Sequence, residues 1–368
     1  MNNQYFVGVD MGYGYFKYFS QDGWGAIKSA AANGYQVSTS LLLDDEEGAQ
    51  YNDVDVVYIN DEPVAIGEQA LGWLNRLDST RSDFHRSPAA LALLQASLLQ
   101  ATRQTGARPA SVNITLALPG ANFATQKGAL LKWLDAQGDL WRVRFIDSAG
   151  RSYLKTFTIQ SKEVIPQPQA HLLGLWMTAK GGIRNTRRAL ARTVIIDLGA
   201  GTCDMGLFKS LKPHGELTSP AGGWQMVRSF EKAVKERLPN YSGDRFDLDE
   251  VIQGNGEIFF GGEIYDMSDV VDKTLTKAAG SIANHLTATV PNAMNIANVL
   301  LVGGWGERLY PYIQQHIPHT TLVTELFGKN GDWKNELPHD MPAIGLAARG
   351  CYCYMMLKEA KRKRKAAS

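Results

Sequence analysis

Cysteine is scarce: the 368 residues contain three, Cys203, Cys351 and Cys353, too few for a disulfide framework and suited to a reducing compartment. Cys351-x-Cys353 has no second pair at metal-ligand spacing, so packed or half-exposed thiols account for it better than zinc. An excess of one charge is lacking too. With 38 Lys+Arg against 37 Asp+Glu the net charge is +1, which removes any global attraction to nucleic acid or anionic lipid. No apolar run reaches the roughly 20 residues of a spanning helix. The nearest, 341–357, is interrupted by Arg349 and reads as a core helix. No basic segment followed by an apolar stretch opens the chain, so no signal peptide and a cytoplasmic location are expected.

What is present describes a globular protein: 44% hydrophobic and 20% charged residues, at a length comfortable for two domains. Residues 5–20 alternate as strand, turn and strand, which puts Gly12 and Gly14 at a hairpin tip. Residues 53–58 and 64–67 flank Asn60-Asp61-Glu62-Pro63, a second hairpin. Ser87-Pro88 opens a helix, with serine as cap, proline in the first turn and Leu91, Leu94 and Leu98 on one face, ending near Thr105-Gly106. A strand at 112–118 and an amphipathic helix through Leu130, Leu131 and Leu134 follow. Then come β-prone residues 153–159, Val164-Ile165, the Pro166-Gln167-Pro168 turn and an apolar helix from Ala170 to about Thr178. The pattern restarts with strands at 193–197 and 205–208, helices at 230–238 and 267–290, and a buried strand at 299–302. The basic stretch 358–368 reads as a solvated, disordered tail or as a local contact to DNA phosphates or an acidic partner. Strands and helices mix throughout, which indicates α/β architecture.

Two apolar strands each run into a glycine turn with aspartates at fixed offsets: Asp10-Met11-Gly12-Tyr13-Gly14, and Asp197-Leu198-Gly199-Ala200-Gly201-Thr202 followed by Asp204. Glycine admits positive φ and leaves its N–H uncovered for phosphate oxygens, while an aspartate at the strand end can face the metal that neutralises them. One polyphosphate with its magnesium suits that pairing. A third turn, Val302-Gly303-Gly304-Trp305-Gly306, places glycines where a flat ring can approach the backbone. Trp305 itself is either a ring contact or core filler.

In this order and at these separations, the three signatures resemble the phosphate-one, phosphate-two and adenosine motifs of the actin, sugar kinase and heat-shock chaperone ATPase superfamily, over nearly the whole chain. Lys17 after Asp10 is similar to actin. The Tyr58-x-Asn60 hairpin leading to Ala65-Ile66-Gly67-Glu68, and the late Pro342-x-x-x-Gly345-x-Ala347-x-x-Gly350, resemble the ParM type of bacterial plasmid-segregation actins. The resemblance implies an α/β, actin-like fold of two related lobes, a duplicated mixed β-sheet flanked by helices, with the nucleotide in the cleft between them. Lobe I would comprise 1–170 plus 341–368, with a small insertion at about 33–90. Lobe II would comprise 171–340, with an insertion at about 228–292.

Carried over by position, the resemblance implies that Asp10 and Asp197 organise Mg2+, mostly through its water shell. Backbone N–H groups of Gly12, Tyr13 and Gly14 would hold one side of the phosphates, and those of Gly199, Ala200, Gly201 and Thr202 the other. Lys17 would place a point charge on the β and γ oxygens. Gly303, Gly304 and Trp305 would face the adenosine, and Lys235 and Glu236 the ribose and base, although such charges also mark a solvated helix face. Asp204 serves the site or bonds amides of its own loop. Gln167, with Gln169 as substitute, would orient the attacking water; an amide is too weak a base to deprotonate it, so hydrolysis would be slow. Tyr13 stands where actins place a small hydroxyl residue, which removes that side-chain contact to phosphate. Ala200 also departs from a position that is often polar or glycine. His171, on the first turn of an apolar helix, reads as a core or capping residue.

The function so implied is a filament-forming ATPase, using ATP or GTP with Mg2+. It would drive plasmid DNA segregation by self-assembly and through an adaptor bound to centromere-like DNA, without direct DNA or membrane contact. The alternative is a small-molecule, sugar-type kinase, which needs a carboxylate base at the crossover, where none is evident. A scaffold without turnover is disfavoured by the retained aspartates, and a chaperone by the lack of a peptide-binding domain.

Overall fold

The alternating residues at the start of the chain form a meander of β1 (Gln4–Met11), β2 (Tyr15–Ser20) and β3 (Gly23–Lys28). The computed structural model describes residues 4–34, 50, 52–71, 83–120, 123–215, 222–290, 296, 298–327 and 343–367. The chain divides into unit 1, Met1–Ala189 with Asp332–Ser368, and unit 2, Leu190–Gly331.

Unit 1 continues with β4 (Ala31–Asn33), β5 (Val54–Ile59), β6 (Glu62–Ile66), α1 (Pro88–Ala101), β7 (Ala110–Leu118), α2 (Phe123–Ala136), β8 (Leu140–Asp147), β9 (Ser152–Pro166) and α3 (Gln167–Trp176). Its nine strands lie in the order β3-β2-β1-β7-β9-β8-β5-β6-β4. The central β1, β7 and β9 are parallel, so their carboxyl ends lie together, the usual place for a site in such sheets. The β5–β6 hairpin turns on Asn60 and Asp61, both at positive φ. α1 starts where Ser87 accepts the Ala90 amide and is buried almost all round, as a helix apolar on every face must be. Below its end, Lys155 of β9 is fully buried and donates to the Thr102 carbonyl and the Thr105 hydroxyl, both at 2.9 Å. Those bonds tie the buried ammonium to the turn that follows α1, where the Thr105 amide and hydroxyl also bond the Thr102 carbonyl.

The sequence reads 153–159 and 164–165 as separate β-prone pieces and has no strand at 140–147. They form one long strand, β9, whose first half pairs antiparallel with β8 and whose polar middle, Ser161 to Glu163, stays paired with β7 past an irregularity at Gln160, with none of these residues fully buried. Short α4 (Thr186–Leu190) leads to unit 2, with β10 (Arg192–Leu198), β11 (Cys203–Lys209), β12 (Lys212–Pro213), α5 (Gly223–Arg237), α6 (Arg245–Gln253), β13 (Glu257–Phe260), β14 (Glu263–Asp266), α7 (Ser268–Thr289), β15 (Asn298–Val302), α8 (Gly306–His316), β16 (Thr320–Leu322) and α9 (Val323–Phe327). Five strands form the sheet β12-β11-β10-β15-β16, and β13–β14 is a separate hairpin. The sequence reading lacks α6, α8 and this hairpin, all shorter than the α7 it does contain.

The last helix, α10 (Leu346–Ala367), returns to unit 1. Two glycines let it lie against α3: a Cβ on Gly350 would stand 1.7 Å from the Ala170 carbonyl oxygen, and one on Gly174 2.2 Å from that of Leu346. Buried Arg349 donates to the Gly174 carbonyl. This contact keeps α3 with unit 1, so the units divide at Ala189/Leu190, where the sequence reading divides the lobes at 170/171. The basic stretch 358–367 is not an unstructured tail but the end of α10. Lysine, arginine and alanine favour helix, and Glu359 pairs with Arg362 and Lys363 one turn on. Met341 and Pro342, the expected start of this helix, lie outside the described residues.

Candidate functional site

Unit 1 presents the first glycine turn at the tip of β1–β2. Their register sets Asp10 directly opposite Lys17, and the Lys17 Nζ bonds Asp10 Oδ2 at 2.9 Å. On the other carboxylate oxygen, Gln167 Nε2 donates to Oδ1 at 2.5 Å. Parallel pairing aligns Asp10 with Ala117 and Leu118 with Pro166, which brings the first residue of α3 to the end of β1. Asp10 and Gln167 are both buried. A carboxylate only accepts, so the amide nitrogen faces Asp10 and Oε1 is the atom left to accept from a water.

The loop is held from behind. Ser29 donates its hydroxyl to the Gly12 carbonyl at 2.5 Å and its amide to that of Gly14 at 2.8 Å. The Tyr13 side chain turns into the core, its ring 5.9 Å from Phe84 and 5.0 Å from His85, which accounts physically for a large residue at a position that is small in actins. Burial pushes the His85 imidazole down to about 4. The ring is therefore neutral, and its Nε2 donates to the Met11 carbonyl at 2.9 Å. Ser29 and His85 support the loop, yet no sequence motif marks them; an isolated serine and an isolated histidine carry no spacing signal. His171 is buried in α3, as expected.

Unit 2 builds its loop in the same way. Asp197 and Asp204 lie opposite each other on β10–β11, and Thr202 donates its hydroxyl to Asp204 Oδ2 at 2.7 Å. Asp204 is fully buried and Asp197 nearly so. Asp204 thus bonds its own loop, while Asp197 stands at the strand end. Burial, with Asp204 and Asp197 beside it, pushes the Cys203 thiol well above its usual range, so this cysteine is an inert packed thiol. The turn closes with the Gly199 amide on the Thr202 carbonyl at 2.8 Å, and the Gly223 and Trp224 amides of the first turn of α5 take the Gly199 and Ala200 carbonyls.

The third glycine turn meets Asp197. Val302 pairs with Asp197 in register, and Gly303 has φ +93°; a Cβ there would lie 2.4 Å from the Leu198 carbonyl oxygen and 2.7 Å from Asp197 Oδ1. Gly304 follows in the same turn. The Trp305 ring is buried, with its Nε1 against Gly223, so within unit 2 it is core filler that backs the loop. Lys235 and Glu236 are not brought to the loop: twelve residues along α5 they are roughly 18 Å from Gly223. There they line a shallow surface pocket with Arg228, Glu231 and Lys232, and Lys235 pairs with Glu231 at 2.6 Å.

Among the described residues no group of three or more His, Cys, Asp or Glu forms a metal cage. Single aspartates beside glycine turns fit Mg2+, which keeps several waters and binds through one or two carboxylates plus substrate phosphates. No helix among the described residues is long and apolar enough to cross a membrane.

Comparison with known proteins agrees with this layout. Residues 8–169 match the family model for the N-terminal domain of actin-like proteins, and residues 195–314 match that for the C-terminal part of archaeal MreB-like actin homologues. No curated protein matches well enough to count as a relative. Among solved structures, the apo pSK41 ParM protein is 18% identical with TM-score 0.64, covering 98% of this chain and 99% of its own. A 15-stranded ParM filament from Clostridium botulinum is 19% identical with TM-score 0.69, covering 97% and 100%. The archaeal actin homolog Ta0583 in complex with ADP is 16% identical with TM-score 0.66, covering 96% and 99%. At such identities these structures speak for the fold alone.

Proposed function

We propose, from the premise that this chain belongs to the actin-like superfamily, that it is a nucleotide-switched, filament-forming ATPase. The observation that carries this reading is Gln167 Nε2 bonded to Asp10 Oδ1 at the end of β1: a nucleotide-site carboxylate joined to an amide, not to a second carboxylate. An amide can orient a water but not deprotonate it. That suits slow hydrolysis acting as a timer, whereas a sugar-type kinase needs a base aimed at a substrate hydroxyl.

In this reading the glycine turn of each unit binds phosphate. The N–H groups of Gly12, Tyr13 and Gly14 hold phosphate oxygens from unit 1, and those of Ala200, Gly201 and Thr202 from unit 2, while the Gly199 amide, expected to join them, is taken by the Thr202 carbonyl. Asp10 and Asp197 hold waters of Mg2+, whose charge offsets that of the phosphates. Lys17 is shared between Asp10 and the terminal phosphates, and Gln167 Oε1 receives the attacking water. Gly303 and Gly304 take the adenosine end, and Lys235 and Glu236, far along α5, take no part in the site. ADP in an archaeal homologue supports a nucleoside di- or triphosphate as the ligand; ATP and GTP both fit. Filaments of structural neighbours support self-assembly as the output. Plasmid segregation through a DNA-bound adaptor is the finer form of the proposal, consistent with a near-neutral chain that needs no direct DNA contact.

The test is right-angle light scattering with phosphate release after Mg-ATP addition, across a concentration series, with Asp197→Ala as control. Scattering above a critical concentration, followed by slower phosphate release, is expected. Turnover only on adding a metabolite, without scattering, overturns the reading in favour of a kinase.

A further inference from the structure

Far from the loops, the most exposed large apolar side chains among the described residues are Phe259 and Ile264, at 73% and 67%. They are direct cross-strand partners on the β13–β14 hairpin. Strand alternation points Ile258 into unit 2 and Phe259 away from it, and the Tyr241 ring holds Phe260 at 5.7 Å on the inner side. On the outward face the next pair is Glu257 opposite Asp266, both exposed. Like charges directly opposite destabilise a hairpin, and an exposed apolar pair adds little to the unit's own core. A face that costs the hairpin stability and remains apolar is arranged for contact with another molecule.

Unit 1 carries the chemical complement. On the outer face of β8–β9, Leu140 lies opposite Thr158, Arg142 opposite Thr156, and Arg144 opposite Leu154. Leu140 and Leu154 are exposed at 56% and 49%. Arg142 is exposed, and the Arg144 guanidinium lies 4.2 Å over the Tyr58 ring. The same alternation buries Trp141, Val143 and Phe145 on the inner side. Two leucines therefore frame two arginines, where the hairpin sets two apolar residues beside two carboxylates. From Leu140 to Arg142, as from Phe259 to Glu257 and from Ile264 to Asp266, the apolar-to-charged step is two residues along a strand, about 6.8 Å, while Leu154 stands directly opposite Arg144. Arginine beside aromatic and aliphatic anchors is the composition expected of a contact core.

We infer that the outward face of the β13–β14 hairpin docks on the outer β8–β9 face of a second copy of this chain, Glu257 and Asp266 meeting Arg142 and Arg144 while Phe259 and Ile264 cover Leu140. The inference rests on the filament reading and names its contact. Because two different patches meet, the contact is head-to-tail and adds copies without limit unless the rotation closes.

The test uses the full chain with Mg-ATP and light scattering. Glu257→Arg alone and Arg142→Glu alone should each raise the critical concentration at least tenfold, with nucleotide binding unchanged. Mixed one to one they should polymerise again, because each reversed face then finds its opposite on the other variant, and Phe259→Ser should fail with or without a partner. Failure of each variant alone without restoration in the mixture overturns the pairing. Polymerisation of all variants like wild type overturns the inference and leaves the hairpin to a different protein, with the filament reading intact. A wild-type chain that binds nucleotide yet never polymerises overturns the filament reading itself.

Discussion

Gln167 and Asp10, 157 positions apart in sequence, are joined by a 2.5 Å hydrogen bond, with Lys17 on the other oxygen of the same carboxylate. The amide orientation is thereby fixed, so replacing Gln167 with alanine removes the brace on Asp10 and, in the proposed function, the acceptor for the attacking water. Gln167→Ala should retain nucleotide binding by titration calorimetry but lose at least about tenfold in phosphate release, about 1.4 kcal/mol of barrier. Gln169→Ala, two residues on, should release phosphate at the wild-type rate.

At Gly303 a methyl group meets backbone and Asp197 at once, at positive φ. Gly303→Ala should cost about 1–3 kcal/mol of unit 2 stability and weaken ADP binding, because relief requires Asp197 to move. Wild-type affinity in a folded Gly303→Ala protein would show that this turn does not position Asp197.

Alanine for glycine should have opposite signs at two other positions. Gly350→Ala drives a methyl group into the α3 backbone, which packed helices accommodate only by separating, at about 3 kcal/mol or more. Gly128, exposed in α2 with nothing near its missing side chain, should gain about 0.5–1 kcal/mol as alanine. Urea midpoints of the two variants check the contrast.

Lys155 gives stability a pH slope. Burial pushes its ammonium down to about 7 from an ordinary value of 10.5, so the unfolded chain binds more protons than the folded one across that window. Stability should rise as pH climbs from about 7 towards 10.5, by up to about 1.4 kcal/mol per unit. It should be least favourable below that range, where the buried group must be charged. Lys155→Met, which keeps the length without the charge, should flatten the slope in chemical denaturation at pH 7, 8.5 and 10.

The twin loops were legible in the sequence because glycine and aspartate at strand ends leave a short, dense signal. Asp10, Lys17 and Asp197 fall at strand ends beside their turns, the 88–101 helix follows its Ser-Pro start and apolar run, and the 268–289 helix its local periodicity. What was not legible depends on residues distant in sequence. The supports Ser29 and His85 act through backbone carbonyls of other segments. β8 exists because β9 offers it an edge, and the sequence reading lacks the β13–β14 hairpin with its outward Phe259 and Ile264. Trp305 and Lys235 show a different limit: a motif names positions, while the side-chain direction follows from packing.

The clasp of α3 by α10 also has a consequence for synthesis. Unit 1 is discontinuous, and Gln167 begins the helix that α10 holds in place. A ribosome completes β1, β7 and β9 early, yet the helix that steadies them emerges only after all of unit 2. Gln167 therefore waits for its backing helix while residues 177–345 are made, and in the proposed function a chain still lacking α10 does not switch.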